Sequence, residues 1–446
     1  MKKYCFLAAC VFWLAAVPLK HGAQAEDWAS FLGPRGDGTS SETGVEPAIW
    51  KPHPPLLWQL PLGVSYGGPT IVGDKLLQFD RWGESERLTC FEAATLKELW
   101  RWEAVVAYSD MYGYNNGPRC SPVVSDGLIF LYGVTGQLSC VELDSGRLVW
   151  TKAVTDEYSV VPNFFGVAST PYVFGEQLLV MVGGSPPEQA RLSADRLDLA
   201  KPNGSAIVAF DVKTGRELYR VGKELASYAA VTVREIEGRP TGLAFLRGGL
   251  IGWDPTSGQQ LFEFPWRAKM RESVNAALPV TEGNRILLSE AYEIGSVLLE
   301  VERGQPKVVW KDSGPRNARK FRAHWSTPVI VGDYLYGCSG RNQPDSDLRC
   351  IRLSDGEVQW TDRRHERSSV LSIDGYLIVL GEYGRLELIR PNPDKLTVVA
   401  KCELNEFAGE DGQPLLDYPC WAAPLVSQGK LYVRGNKSLL CFQLIP

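Results

Sequence analysis

Few strings in this 446-residue sequence have the residue types and spacing of a reactive centre. Gly63-Val64-Ser65-Tyr66-Gly67 matches G-x-S-x-G, the sharp turn that lifts a nucleophilic serine between a strand and a helix. Here the apolar triplet Thr70-Ile71-Val72 follows and reads as a second strand, so the serine lacks the helix such a turn needs. Asp345-Ser346-Asp347 spaces its oxygens too sparsely for calcium, which takes about six or more. Beyond the first 25 residues the only histidines are His53, His324 and His365, and no C-x-x-C occurs, so a zinc ligand set is not legible. Arg35-Gly36-Asp37 is an adhesion-like tripeptide, and Asn203-Gly204-Ser205 and Asn436-Lys437-Ser438 fit the glycosylation sequon; all three are short enough to occur by coincidence. The residues therefore predict no catalytic group and no metal centre.

The elements around these strings come from the rest of the sequence. Lys2 and Lys3 precede an apolar stretch over 4–17 and the small-x-small site Ala23-Gln24-Ala25, which predicts a cleaved export signal over 1–25 and a mature chain from Glu26. Leu7-Ala8-Ala9-Cys10 imitates a lipid-attachment box, but too few apolar residues come before it. No later apolar run reaches the roughly 18 residues of a membrane span. The expected location is the periplasm or the cell surface. A net charge of -5 with scattered signs gives no basic stripe for a phosphate backbone, which argues against nucleic acid as a partner.

The composition, with 44 Gly, 29 Pro, 14 Trp and 17 Tyr, suits many short strands broken by tight turns. One unit is Ser121-Pro122-Val123-Val124-Ser125-Asp126-Gly127-Leu128-Ile129-Phe130, then Gly136-Gln137-Leu138-Ser139-Cys140, then Ser145-Gly146-Arg147-Leu148-Val149-Trp150. It returns as Ser326-Thr327-Pro328-Val329-Ile330-Val331-Gly332-Asp333-Tyr334-Leu335, Leu348-Arg349-Cys350 and Ser354-Asp355-Gly356-Glu357-Val358-Gln359-Trp360. Such units open about every 50 residues, each reading as a four-stranded antiparallel blade. The last strand closes with an aromatic at Trp100, Trp150, Tyr219, Phe262, Trp310 and Trp360, and Trp58 stands in a last-strand sequence that has no blade of its own. The C-terminal unit supplies three strands and stops. Pairing the two predicts an all-β, eight-bladed β-propeller over 56–446, its ring closed by the N-terminal strand, behind a leader over 26–55.

Cys90, Cys140, Cys350 and Cys441 fall at one point of four repeats and read as small core residues of a shared strand. Of the others, Cys338 with Cys350, on neighbouring strands, and Cys402 with Cys420, flanking one long loop, are predicted bridges in a disulfide-permissive compartment.

Ala209-Phe210-Asp211-Val212-Lys213-Thr214-Gly215-Arg216-Glu217-Leu218-Tyr219 resembles the A-x-D-x-x-T-G-x-x-x-W docking motif of pyrroloquinoline-quinone (PQQ)-like repeats, with Tyr219 in place of Trp. Trp253-Asp254-Pro255-Thr256-Ser257-Gly258 is a weaker copy, and the leader Trp28-Ala29-Ser30-Phe31-Leu32-Gly33-Pro34-Arg35-Gly36-Asp37-Gly38 is similar to the opening of exported PQQ-like propellers common in planctomycete-type bacteria. The resemblance implies that the closing aromatics glue each blade to the next. It also implies two roles. One is a scaffold, like the propeller lipoprotein of the outer-membrane β-barrel assembly machine, which the chain resembles in blade number and repeat type. The other is a PQQ-dependent alcohol or sugar dehydrogenase, whose quinone sits over the axis beside calcium; those enzymes carry an adjacent cysteine pair that this sequence lacks.

In a propeller, residues just ahead of each innermost strand gather at one mouth of the channel. Here those segments carry Arg119, Asn163, Asn275, His324 and Trp421, the predicted ligand-binding set. The expectation is a non-catalytic protein- or ligand-binding scaffold of the cell envelope with no cofactor. The alternatives are a PQQ-dependent oxidoreductase and a carbohydrate-binding or sensor module. The partner would be an envelope protein or a small molecule. The interruption 183–204 reads as a surface loop beside the channel or a partner contact, or else as a disordered insert.

Overall fold

The sequence alternates three- to eight-residue strands with turns that demand left-handed backbone, and these turns set the blade edges. Asp126-Gly127 and Asp374-Gly375, for instance, have positive φ at both positions, the requirement of the two-residue hairpin whose twist matches the strands it joins. A computed structural model describes residues 25–409 and 412–446, so the predicted export signal, apart from Ala25, lies outside the described residues. Among the described residues eight sheets, each built on a four-stranded antiparallel blade, follow one another around the ring. Seven are continuous blades, numbered 1 to 7 along the chain: 70–105, 123–153, 172–221, 232–265, 280–311, 329–362 and 368–403. In blade 8, Leu425–Ser427, Lys430–Arg434 and Ser438–Gln443 are completed by Leu56–Pro61 from the other end of the chain, with Trp58 opposite Cys441. The ring is thus an all-β, eight-bladed propeller closed by its N-terminal strand. No helix among the described residues is long and apolar enough to cross a membrane.

The closing aromatics have one stereochemical setting. Trp100, Trp150 and Trp360 each lie across the ladder from a buried cysteine of the third strand, Cys90, Cys140 and Cys350, with a bulge immediately beyond. Small partners there leave room for a large ring to turn toward the next blade. The ring then donates to a carbonyl in that blade's turn: Trp58 to Ala93 (3.1 Å), Trp100 to Leu143 (3.0 Å), Trp150 to Val212 (2.9 Å), Trp310 to Leu353 (2.7 Å) and Trp360 to Asn392 (2.8 Å). Tyr219 does the same through its hydroxyl, to Pro255 (2.7 Å). The motif glycine lies flat beneath the ring. A Cβ on Gly215, at φ +68°, would stand 2.8 Å from Trp150. The seam is therefore an aromatic face buried against backbone, with its polar tip satisfied. In the seventh blade the equivalent position, opposite Leu388, is Ala400.

The leader runs across the channel at the end of the blades that carries these turns. Trp28 forms a two-way backbone bridge with Ile71 of blade 1, and Ala29 accepts from Val124 of blade 2. Leu32 packs on Ala230 and Leu278, and Gly36 accepts from Arg234 of blade 4. Thr39–Ser40 then pairs in parallel with the innermost strand of blade 7. A segment that meets the inner strands of blades this far apart has to cross the axis, so the leader plugs one end of the channel.

The predicted disulfides are corrected by the structure: the eight described cysteines are free and buried. Cys338 lies opposite Leu348 and Cys350 opposite Tyr336, which makes the two thiols diagonal neighbours. Diagonal Cβ atoms stand about 7 Å apart, well beyond the roughly 3.8 Å that a bridge needs. Cys402 faces Leu386 in the outermost strand of blade 7, whereas the Cys420 thiol turns to the Asp417 carbonyl ahead of blade 8. Burial pushes each of these two thiols well above its usual range, to about 12 for Cys402.

Candidate functional site

Each blade runs down, up, down and up, so two sets of loops share the end opposite the plug: the connections between blades and the hairpins joining second to third strands. Together they enclose a funnel of about 510 Å³ on the axis, with Phe31 of the plug at its floor. The connections supply Tyr66, Tyr114, Arg119, Phe165, Tyr228, His324, Trp325, Arg367, Tyr418 and Trp421. The hairpins supply Tyr292, Arg341, Glu382 and Tyr383.

The wall is an aromatic collar. Tyr228 meets Phe165 (5.7 Å between ring centres), Phe165 meets Tyr114 (6.0 Å), and Tyr114 meets Trp421 (6.4 Å). Trp421 in turn touches Tyr66 (4.8 Å), Trp325 (6.1 Å) and Tyr418 (6.1 Å), and Tyr418 stacks on Tyr383 (4.9 Å). At the lip Tyr114, Tyr383 and Tyr418 are 60%, 48% and 47% exposed, an unusual amount of wet aromatic surface in one place.

Three arginines lie over these rings, and they differ in their counter-charges. Arg119, 5.6 Å from the Tyr66 ring centre, is held by Asp110 (2.7 Å) and by the carbonyls of Asn115 and Gly117. Arg367, 4.7 Å from Trp421, grips Glu382 (2.6 Å), which also accepts from the Trp421 indole (2.9 Å). Both pairs are buried and neutral overall, the arrangement that makes an interior charge tolerable. Arg341, 4.2 Å from Tyr292, has no carboxylate or carbonyl partner among the described residues, and its Nε is shut off from solvent without an acceptor. Beside it His324 places Nε2 3.4 Å from the Tyr292 hydroxyl. Burial, with Arg367 and Arg341 nearby, lowers the imidazole to about 3, so it is neutral at neutral pH. His324 Nδ1 and Trp325 Nε1 also have no partner among the described residues.

Of the five predicted ligand-binding residues the funnel brings together Arg119, His324 and Trp421. Two are placed elsewhere, which corrects the sequence reading. Asn275 is buried behind the wall and donates to the Leu246 carbonyl (2.7 Å). Asn163 donates to the Ala226 carbonyl (3.3 Å) and lines a separate cavity beside blades 2 and 3. Short amides of this kind lock loop backbone rather than meet a ligand. The G-x-S-x-G string is likewise structural: Ser65 donates to the Pro118 carbonyl (2.7 Å), and Gly67 packs so tightly that a Cβ would lie 2.3 Å from the Cys120 carbonyl oxygen. The Arg35-Gly36-Asp37 tripeptide is tied into the plug, with Arg35 bound to Glu26 (2.7 Å) and Asp37 accepting from the Thr39 N–H (3.0 Å). The 183–204 interruption packs against the propeller as a loop with short 3-10 turns. It buries Leu197 and sets Asp198 against Arg247 (2.6 Å) and Arg267 (2.9 Å), beside the funnel wall.

Sequence reasoning missed Arg341, Glu382, Tyr383 and Tyr292 because it searched only the segments ahead of inner strands. The signal was present: second-to-third-strand hairpins reach the same mouth in any four-stranded blade.

Comparisons with known proteins agree with this architecture. No curated protein matches the sequence. The chain is similar in structure to BamB from Moraxella catarrhalis, with 11% identity over 87% of this chain and 97% of that one and a TM-score of 0.57. It is also similar to the quinohemoprotein alcohol dehydrogenase from Comamonas testosteroni, with 11% identity over 95% of this chain and 81% of that one and a TM-score of 0.64. At such identity the likeness is one of fold. A family model matches residues 84–362, more than half of the sequence, and by that match the chain belongs to the family described as outer membrane protein assembly factor BamB.

Proposed function

We propose that this chain is a non-catalytic binding scaffold of the cell envelope that takes its partner at the axial funnel. The observation that carries the reading is the aromatic collar, whose lip is half exposed and whose floor is closed by the plug. A one-ended pocket with exposed rings at its entrance is built to receive something and hold it. The groups that acid–base chemistry would use are already committed. Glu382 accepts from Arg367 and Trp421, and His324 has no carboxylate to orient it or raise its basicity. The envelope location rests on the export signal predicted over 1–25 and on the family.

A quinone with calcium suits this donor set poorly. Among the described residues Glu382 is the only carboxylate lining the funnel, and its oxygens are taken by an arginine and an indole. Among the described residues no group of three or more His, Cys, Asp or Glu side chains is gathered for a metal. The test is a dye-reduction assay on the purified mature chain with PQQ, calcium and a panel of alcohols and sugars. The expected result is no reduction above the protein-free rate; turnover that disappears in Trp421→Ala would overturn the non-catalytic reading.

A further inference from the structure

The funnel carries an uneven distribution of satisfied and unsatisfied donors. Two of its three arginines are neutralised by buried carboxylates, but Arg341 is not. Arg341 Nε and Trp325 Nε1 are closed off from water without acceptors, and the neutral His324 ring has one nitrogen, Nδ1, in the same condition. All three side chains line one cavity. Those closed-off atoms are not what a ligand would meet; the two Nη groups of the part-buried Arg341 are, since they have no acceptor among the described residues and stay open to the funnel, where an acceptor oxygen can arrive. Facing an uncompensated guanidinium, that oxygen should carry negative charge. A guanidinium also favours a planar carboxylate or a sulfate, which it can hold through two parallel bonds.

The rest of the wall describes the body that carries the anion. Its rings are largely tyrosines, each offering an apolar face and a hydroxyl tip: Tyr66, Tyr114, Tyr228, Tyr292, Tyr383 and Tyr418. A purely aromatic ligand would be served by smooth apolar walls. A polyhydroxylated one needs both features, since its C–H faces carry slight positive charge that suits the negative face of an aromatic ring, and its hydroxyls need partners. The stacked pair Tyr383 and Tyr418 at the lip continues the collar out of the cavity, so the platform exceeds a single ring in length.

We infer that the funnel is a subsite for an acidic saccharide, with the carboxylate or sulfate of one sugar held by the Arg341 guanidinium and the neighbouring sugars stacked along Trp421, Tyr418 and Tyr383. This rests on the reading of the funnel as a binding site and names its ligand class.

The test is calorimetric titration of the full mature chain with α-1,4-linked trigalacturonate, the neutral α-1,4-linked galactotriose and benzene-1,3,5-tricarboxylate. Trigalacturonate should bind saturably and at least about tenfold more tightly than either comparator, the order of one charge-assisted contact. Because Arg341 donates no side-chain hydrogen bond among the described residues and gives up only its contact with the Tyr292 ring, R341Q should still fold cooperatively, with a melting temperature within a few degrees of the parent, and lose about tenfold in affinity, while R341K keeps part of it. Tyr418→Ala should also weaken binding although it removes no charge. Equal binding of the two trisaccharides, an R341Q variant that binds like the parent, or tighter binding of the aromatic tricarboxylate each overturns the ligand class. Absence of any binding overturns it too. In that case the scaffold reading is judged separately, by whether a partner cross-links at the funnel lip.

Discussion

His324 is the residue whose setting most directly couples the funnel to solution conditions. Its folded value of about 3 lies below the ordinary 6.5, so the unfolded chain takes up a proton that the folded chain refuses. The stability tied to this residue is therefore complete above about pH 6.5 and is lost as pH falls toward 3, by up to about 1.4 kcal/mol per pH unit. Urea unfolding of His324→Gln should show a flatter acid limb than the parent. Glu86 has the opposite sign: burial raises its carboxyl to about 6, so its contribution is greatest below about 4.5 and is lost as pH rises through 6. The readout is accordingly the difference between variant and parent at each pH. A second prediction at this scale concerns the seam glycines. Gly215→Ala would put a methyl against the Trp150 ring at a backbone angle that L-residues resist, and Trp150→Ala would leave a ring-sized void. Each should destabilise, the glycine change by about 1–3 kcal/mol and the tryptophan change by about 3–5 kcal/mol, read as the shift of the first unfolding transition. The docking positions were legible because size and spacing repeat. Asn163 and Asn275 were misread because an amide that locks a loop and one that meets a ligand look alike in sequence.

The blades follow from alternation and turn chemistry, so their openings could be placed from sequence. The leader could not be read in the same way: it has no periodicity, and only its contacts with the inner strands of distant blades show that it crosses the axis. As a plug it both closes the channel and sets the funnel floor through Phe31. Trp28 is its anchor, 3% exposed and packed over Gly33. Trp28→Ala should cost about 3–5 kcal/mol locally and make the 26–45 segment the first site of limited proteolysis, while far-ultraviolet circular dichroism of the blades stays unchanged. If the parent and variant leaders are cut at the same rate, the plug is not held as described. The hairpins carrying Arg341 and Tyr383 were passed over for a related reason. Their strands are legible in the sequence, but which end of the ring a hairpin faces depends on the alternation of turns around a whole blade and not on the hairpin's own residues.

At the scale of the whole molecule, closure of the ring joins the two ends of the chain. Leu56–Pro61 covers the strand that would otherwise be a free edge of blade 8, and the seam is reinforced by Arg434, buried and donating to the carbonyls of Gly63 and Gly67. Leu60→Pro removes a ladder donor opposite Leu439 and should expose that edge, giving concentration-dependent oligomers in light scattering where the parent gives none. A closed ring with one plugged end leaves a single axial entrance, and the proposed function depends on that entrance. The most direct measurement replaces Tyr383, at the funnel lip, with a photoactivatable amino acid in cells that produce the protein, beside the same replacement at Leu99 on the outermost strand of blade 1. Binding at the axial entrance gives a discrete adduct from the lip position that is lost when Trp421→Ala is added, and none from Leu99. A discrete adduct from Leu99 with none from Tyr383 would contradict it.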